Sequence, residues 1–168
     1  MPLDYSNETA GTTDIAFLKR PALNITGDTQ DIILNGGGPG VETIKLLLLA
    51  GDKLSSMFGP QYSLVALDPR GVGNSGPDLS CFPKNPAGEA LWQASVGERV
   101  ADSTDDVGLR QLFAIQTATG KWCSKVHRNG PGRYATTHAI AEDILHFTEL
   151  QAAANGYVNL ISRVYDGC

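Results

Sequence analysis

The stretch from Asp31 to Gly40 constrains this chain more than any other. A short apolar run, Asp31 to Leu34, stops abruptly at Asn35-Gly36-Gly37-Gly38-Pro39-Gly40. A short apolar run closed by turn residues predicts a buried strand. The next segment, Glu42 to Phe58, carries Ile44, Leu47, Leu48, Gly51, Leu54 and Phe58 at helical spacing, which predicts one apolar helix face. Gly59-Pro60 ends that helix. Tyr62 to Leu67 then reads as a second buried strand, closing at Asp68-Pro69-Arg70-Gly71. Residues 31 to 68 thus predict strand, glycine loop, helix, strand, and such a unit makes its two strands parallel.

The flanking sequence is less regular. Thr13 to Leu18 favours a strand, closed by Lys19-Arg20-Pro21. After Gly76-Pro77 periodicity is lost until about Thr104, with Pro83, Pro86 and Gly88 as breakers. Thr104 predicts an N-cap, with Asp105 and Asp106 in the first turn where the helix dipole favours carboxylates. Leu109, Leu112, Phe113 and Gln116 predict the face of that helix, and Asn129-Gly130-Pro131-Gly132 breaks the chain after it. From Thr137, read as a cap, to Ala154, the spacing of Ile140, Ile144, Phe147 and Ala154 predicts another amphipathic helix, ended by Asn155-Gly156. Tyr157 to Tyr165 reads as a last strand.

Composition narrows the function classes. The 168 residues are 42% hydrophobic and 18% charged, enough apolar content for a real core. A net charge of -5 with no basic block argues against a dedicated nucleic-acid binder. The longest apolar run, Leu46 to Ala50, is too short to span a bilayer. Met1-Pro2-Leu3-Asp4 does not open a secretory signal. Asn7-Glu8-Thr9 and Asn24-Ile25-Thr26 are glycosylation sequons, which matter only in a secreted protein. Cys81, Cys123 and Cys168 have neither metal-ligand nor C-x-x-C spacing. Two readings stay open for them: three buried thiols, or a Cys81–Cys123 disulfide with Cys168 left over. Closing that loop would stabilise the fold by roughly 4 kcal/mol in an oxidising compartment.

Two loops have the composition for chemistry. The Gly36 to Gly40 turn ends a predicted strand and opens a helix, so its N–H groups suit a phosphate or an oxyanion. In open α/β sheets, ligands bind at the C-terminal ends of strands. Gly71-Val72-Gly73-Asn74-Ser75-Gly76 fits G-x-G-x-x-G, the dinucleotide fingerprint. Pro77, Pro83 and Pro86 deny it the long helix a pyrophosphate needs, and no acidic residue ends a following strand: Glu89 and Glu98 lie in non-strand sequence. A nucleotide-binding domain is therefore the weaker reading. No serine lies in G-x-S-x-G; Ser75, in Gly73-Asn74-Ser75-Gly76-Pro77, comes nearest but fails the spacing. His127 reads as part of a basic loop, and His138 and His146 lie on the last helix; all three read as surface or helix-boundary residues. No motif points to a metal, and no cofactor is expected.

Strand, Gly-Gly-Gly-Pro-Gly loop, helix, strand, then Asp68-Pro69-Arg70-Gly71-Val72-Gly73-Asn74-Ser75 resembles the opening of an α/β-hydrolase. The variants resemble the tripeptidyl-aminopeptidase-like serine peptidases, near the proline iminopeptidases. Pro2-Leu3-Asp4-Tyr5 is similar to that family's N-terminal strand entry. Tyr134-Ala135-Thr136-Thr137, with the Ala141-Glu142-Asp143-Ile144 helix, is similar to the segment leading into the nucleophile strand. The likeness covers roughly residues 2 to 155.

It implies a single partial α/β-hydrolase domain over 1–168, with an incomplete, mostly parallel sheet and flanking helices. It implies Ser–His–Asp acyl transfer on a peptide or ester in the full-length relative. Gly37 and Gly38 are the implied candidates for the one oxyanion-hole donor that the first loop supplies, and Gly36 stands at the family's His or Asn position. Asp68, Arg70 and Ser75 are implied to brace the second loop. Cys81 and Cys123 fall where secreted members place cysteines, which also implies a secreted protein.

The departure lies after Gly156, where the family continues into a strand and Gly-x-Ser-Tyr-Gly-Thr. Here Tyr157-Val158-Asn159-Leu160-Ile161 runs into Ser162-Arg163-Val164-Tyr165-Asp166-Gly167, similar to the family's later Arg-Val-x-x-Asp-Gly strand. The expectation is a skipped nucleophile elbow, with the acid and histidine that follow it in family order also absent, and no peptidase activity. The competing reading is a nonenzymatic fragment or isoform that binds a partner through its open sheet.

Overall fold

The computed structural model describes residues 1–27, 29–38, 40–97, 106–155 and 161–164, with backbone alone for 8, 97, 154, 155 and 161–164. They fall into two units, Met1–Pro77 with Tyr134–Cys168, and Asp78–Arg133.

The first unit is built on four strands: β1 (Phe17–Arg20), β2 (Gln30–Asn35), β3 (Tyr62–Leu67) and β4 (Ile161–Val164), in spatial order β1-β3-β2-β4. β2 and β3 pair in parallel, from Gln30↔Tyr62 to Leu34↔Ala66. β1 runs antiparallel to β3, from Phe17↔Leu67 to Arg20↔Leu64. β4 lies parallel to β2. The sheet is mixed where a mostly parallel one was expected, because β1 runs antiparallel to its neighbour β3. The cause is the short connection over 21–29 from β1 to β2, whose described residues hold no helix, whereas parallel strands need a crossover of about a dozen residues or more.

The first strand is also displaced from Thr13–Leu18. Residues 14–16 bond instead to the loop after β3: Gly76 N–H to Asp14 O at 2.9 Å, and Ala16 N–H to Ser75 Oγ at 2.9 Å. Lys19 and Arg20 extend the ladder because each finds a carboxylate, Asp31 at 2.6 Å for Lys19 and Asp52 for Arg20.

Helix α1 (Thr43–Phe58) covers one face of the sheet and helix α4 (Thr137–Asn155) the other. Alternate strand residues point to opposite faces, so Ile32, Leu64 and Ala66 pack with Leu47, Ile44, Leu54 and Phe58. Ile33, Val65 and Leu67 pack with Ile144, Phe147 and Phe17, and the rings of Phe17 and Phe147 stack at 4.0 Å. Leu64 to Leu67 have no exposed surface, which explains why β3 reads as a continuous apolar run. Leu48, expected on the inner face of α1, is 71% exposed. The helix instead centres its buried stripe on Thr43, Leu47 and Gly51. Gly51 lies inward because the Arg20 side chain crosses there on its way to Asp52; a Cβ on Gly51 would stand 2.6 Å from Arg20 Nη1. Thr136, one residue before the expected cap, caps α4 by accepting the Ala139 N–H at 3.2 Å.

The second unit contains α2 (Pro86–Gly97) and α3 (Asp106–His127). No helix was expected at 86–97, where prolines and glycine read as breakers. Pro86 is the first helical residue, a position where its missing N–H costs nothing. Asn85 Oδ1 accepts the Gly88 N–H at 3.0 Å and caps the helix. In α3 the expected face is corrected as well: Phe113 is 74% exposed, and Leu112, Ile115, Thr119, Cys123 and Val126 form the half-buried side. Thr104 and Asp105, the expected cap, lie outside the described residues, as do Pro39, Glu98, Gly156, Cys168 and the ends of the predicted last strand, of which Ile161–Val164 is seen.

Candidate functional site

Both loops singled out by sequence leave the C-terminal ends of adjacent parallel strands, β2 and β3. The link between them is Asp68, fully buried at the end of β3. Its Oδ1 accepts the Ile44 N–H at 3.0 Å, at the open N-terminus of α1. A helix start leaves such N–H groups without intrahelical partners, and the residue at the cap position, Glu42, supplies no side-chain bond. Asp68 Oδ2 accepts the Asn74 backbone N–H at 3.1 Å and its side-chain Nδ2 at 3.0 Å. One carboxylate thus binds the start of the first loop's helix to the second loop.

The second loop closes on itself. Gly71 N–H donates to Gly76 O at 3.0 Å, and Ser75 Oγ donates to Asp68 O at 2.6 Å. Gly73 has φ +54°, and a Cβ there would lie 2.4 Å from Asp68 Oδ2, so only glycine fits. The next described helix begins at Pro86, so the G-x-G-x-x-G run opens no helix directly.

Arg70 leaves this loop and is sealed inside the first unit. Its Nε and Nη2 donate to Asp143 Oδ2 and Oδ1 at 2.7 and 2.8 Å. Its Nη1 and Nη2 also donate to Leu3 O and Pro2 O, both at 2.6 Å. Tyr5 O–H donates to Asp143 Oδ1 at 2.8 Å, and the Tyr5 ring lies 5.7 Å from the guanidinium carbon. Burial, then the adjacent Asp143 carboxylate, push the Tyr5 phenol above its ordinary range. The hydrogen bonds to Asp143 hold the Arg70 guanidinium firmly protonated. Sequence reasoning assigned no role to Tyr5 or Asp143. Both sit in the segments quoted for the family resemblance, which was the available signal.

In the first loop, Gly37, Gly38 and Gly40 take φ of +67°, +120° and +98°. Gly36 N–H donates to Thr43 Oγ1 at 2.9 Å. A Cβ on Gly36 would lie 2.6 Å from Val41 Cγ1, so Val41 fills the space a side chain would need. Gly37 N–H donates to Asn35 Oδ1 at 3.3 Å, while Gly38 is exposed at the loop surface.

The remaining expected residues lie elsewhere. Cys81 and Cys123 are joined, with Cα atoms 4.8 Å apart. Asn7 and Asn24 are exposed, and Asn7 Oδ1 accepts the Thr9 hydroxyl at 2.7 Å. His127, read as a loop residue, is the last residue of α3, with Nε2 3.1 Å from Leu79 O. His138 is exposed on α4; His146, part-exposed, sets its ring against Tyr5 at 6.0 Å. Among the described residues no cluster of three or more His, Cys, Asp or Glu could hold a metal ion, and no helix is long and apolar enough to cross a membrane.

The chain is 33% identical over 82 residues to the serine protease Hip1 of Mycobacterium tuberculosis and to that of Mycobacterium bovis. The match covers 48% of this chain and 15% of those relatives. It is 27% identical over 135 residues to carboxylesterase B of Mycobacterium tuberculosis, covering 71% of this chain and 25% of that protein. The chain thus spans a quarter or less of the length of these relatives. No protein-family model matches it. This weak homology to two hydrolases is consistent with an α/β-hydrolase-like family.

Proposed function

We propose that this chain is the N-terminal portion of a serine hydrolase of the α/β-hydrolase fold, of the tripeptidyl-aminopeptidase-like exopeptidase kind, and that these 168 residues alone are inactive. The observation that carries the reading is the Asp68 brace. It ties the start of α1 to the second loop at the C-terminal ends of two adjacent parallel strands. The weak similarity to a serine protease and a carboxylesterase supports the same reaction class.

In the complete enzyme a serine Oγ attacks a peptide or ester carbonyl, and a histidine takes its proton. The tetrahedral oxyanion accepts one N–H from the residue after the nucleophile and one from the first glycine loop. Gly37 or Gly38 supplies that second donor here. In the present loop the Gly37 N–H donates to Asn35 Oδ1 at 3.3 Å, a bond the oxyanion would replace. Asp68, Arg70 and Ser75 are positioning residues that hold the loop without touching substrate. The full-length protein is read as secreted, with glycans on Asn7 and Asn24.

The 168 residues contain no G-x-S-x-G, and the elbow belongs between Gly156 and Ser162. A fluorophosphonate probe should leave the chain unlabelled. The transcript, or the gene across the Gly156 codon, should hold an omitted segment encoding Gly-x-Ser-x-Gly, and the full-length product, with the acid and histidine that follow in family order, should label stoichiometrically. Labelling of the chain as it stands, or uninterrupted coding sequence with no such segment nearby, would sink the proposal.

A further inference from the structure

The unit Asp78–Arg133 has two helices and no core: among its described residues none is buried. Helix α3 spans 22 residues without a buried side chain, and Leu91, Val107 and Phe113 are each more than half exposed. A unit this small that buries so little apolar surface needs another source of stability. Three contacts converge on the segment 79–81 from the last two turns of α3. Cys123 is bonded to Cys81, Trp122 Nε1 donates to Cys81 O at 2.7 Å, and His127 Nε2 lies 3.1 Å from Leu79 O. The disulfide closes a sequence separation of 42 residues, which holds α2 within it. Trp92 Nε1 then donates to Thr119 Oγ1 at 2.9 Å, and the Trp92 and Phe82 rings lie 6.1 Å apart. These contacts sit inside the loop that the disulfide closes.

We propose that the Cys81–Cys123 bond, and not apolar burial, decides whether Asp78–Arg133 is folded, so that this unit is a redox-sensitive element. The first unit has its own core on both faces of the sheet and holds no cystine, so its order does not depend on the bond. A dithiol reductant would open the switch: one thiolate attacks a sulfur of the pair, the S–S bond breaks, and the second thiol resolves the mixed disulfide. The products are two protein thiols and an oxidised cyclic dithiol. Without the cross-link the chain between the cysteines regains the freedom that ring closure removed.

The test uses the full chain carrying Cys168→Ser, to prevent thiol scrambling, purified oxidised and then treated with dithiothreitol. Both tryptophans of the chain, Trp92 and Trp122, lie in this unit, so their fluorescence reports on it alone. On reduction their emission should shift to the red. Tryptic cleavage at Arg110, Lys121 and Lys125 should accelerate roughly 10-fold or more. Cleavage at Lys45 and Lys53 of α1 should stay within about twofold of the oxidised rate. The double variant Cys81→Ala/Cys123→Ala should behave like the reduced protein without any reductant. Unchanged fluorescence and cleavage after complete reduction would overturn the proposal. So would equal acceleration at Lys45 and Lys53, since the bond would then hold both units together.

Discussion

Arg70 grips Asp143 in a two-point fork, 2.7 Å from Nε to Oδ2 and 2.8 Å from Nη2 to Oδ1, with side-chain exposures of 0% and 1%. The residues are 73 apart in the chain. Arg70 belongs to the loop after β3 and Asp143 to α4, so the pair fixes the loop against that helix.

Breaking this pair on one side should be costly. Arg70→Met leaves a buried carboxylate facing Tyr5 alone, and should lower unfolding free energy by about 3–5 kcal/mol. Arg70→Lys should recover only part of the loss, because an ammonium cannot reproduce the planar fork. Urea denaturation followed by far-ultraviolet circular dichroism measures both. A loss under 1 kcal/mol for Arg70→Met would show the network to be dispensable.

The Tyr5 phenol gives a pH signature. In the unfolded chain it ionises near the ordinary 10.0, and in the folded protein higher, because burial and Asp143 oppose the phenolate. A group raised on folding contributes stability in full below its unfolded value and loses it as pH rises through the folded value. Wild-type protein should therefore hold this contribution at pH 8 and lose it progressively above pH 10. Tyr5→Phe should flatten that alkaline decline and remove the last phase from the phenolate absorbance titration. An unchanged titration curve in the variant would contradict this.

The second loop separates brace from nucleophile. Ser75 Oγ donates to Asp68 O and accepts from Ala16 N–H, so Ser75→Ala should destabilise by about 1–3 kcal/mol. In the full-length protein, with its elbow, acid and histidine in place, Ser75→Ala should still take up fluorophosphonate to one equivalent. Loss of labelling in a folded variant would make Ser75 more than a brace.

Gly73→Ala should be worse than its size suggests. The added carbon meets Asp68 Oδ2, and φ of +54° disfavours any side chain, so a loss of about 1–3 kcal/mol is expected in thermal or urea unfolding. The same substitution at Gly120, an exposed helical position with open space around it, should be neutral or stabilising by a few tenths of a kcal/mol to about 1 kcal/mol. Equal effects at the two sites would refute the steric account.

Much of the fold around the candidate site could be read from local pattern. The β2–α1–β3 unit and the positions of both glycine loops follow from apolar runs and breakers, because each signal is contained within one element. Tyr62–Leu67 is found at the boundaries its composition indicates. The same local logic failed at Pro86, where a breaker inside a helix became a starter at its first residue, and at Leu48, where helical spacing could not say which flank of α1 faces the sheet.

What the sequence by itself determined is the order strand, glycine loop, helix, strand over 31–68 and the glycine bends, since φ preferences and apolar periodicity act within a few residues. What only the tertiary structure decided is the reversal of β1, the Asp68 hold on Ile44 and Asn74, and the burial of Arg70 with Asp143 and Tyr5. Each of these depends on partners brought together by the sheet, and a charged residue's local sequence does not say which distant partner its burial will require.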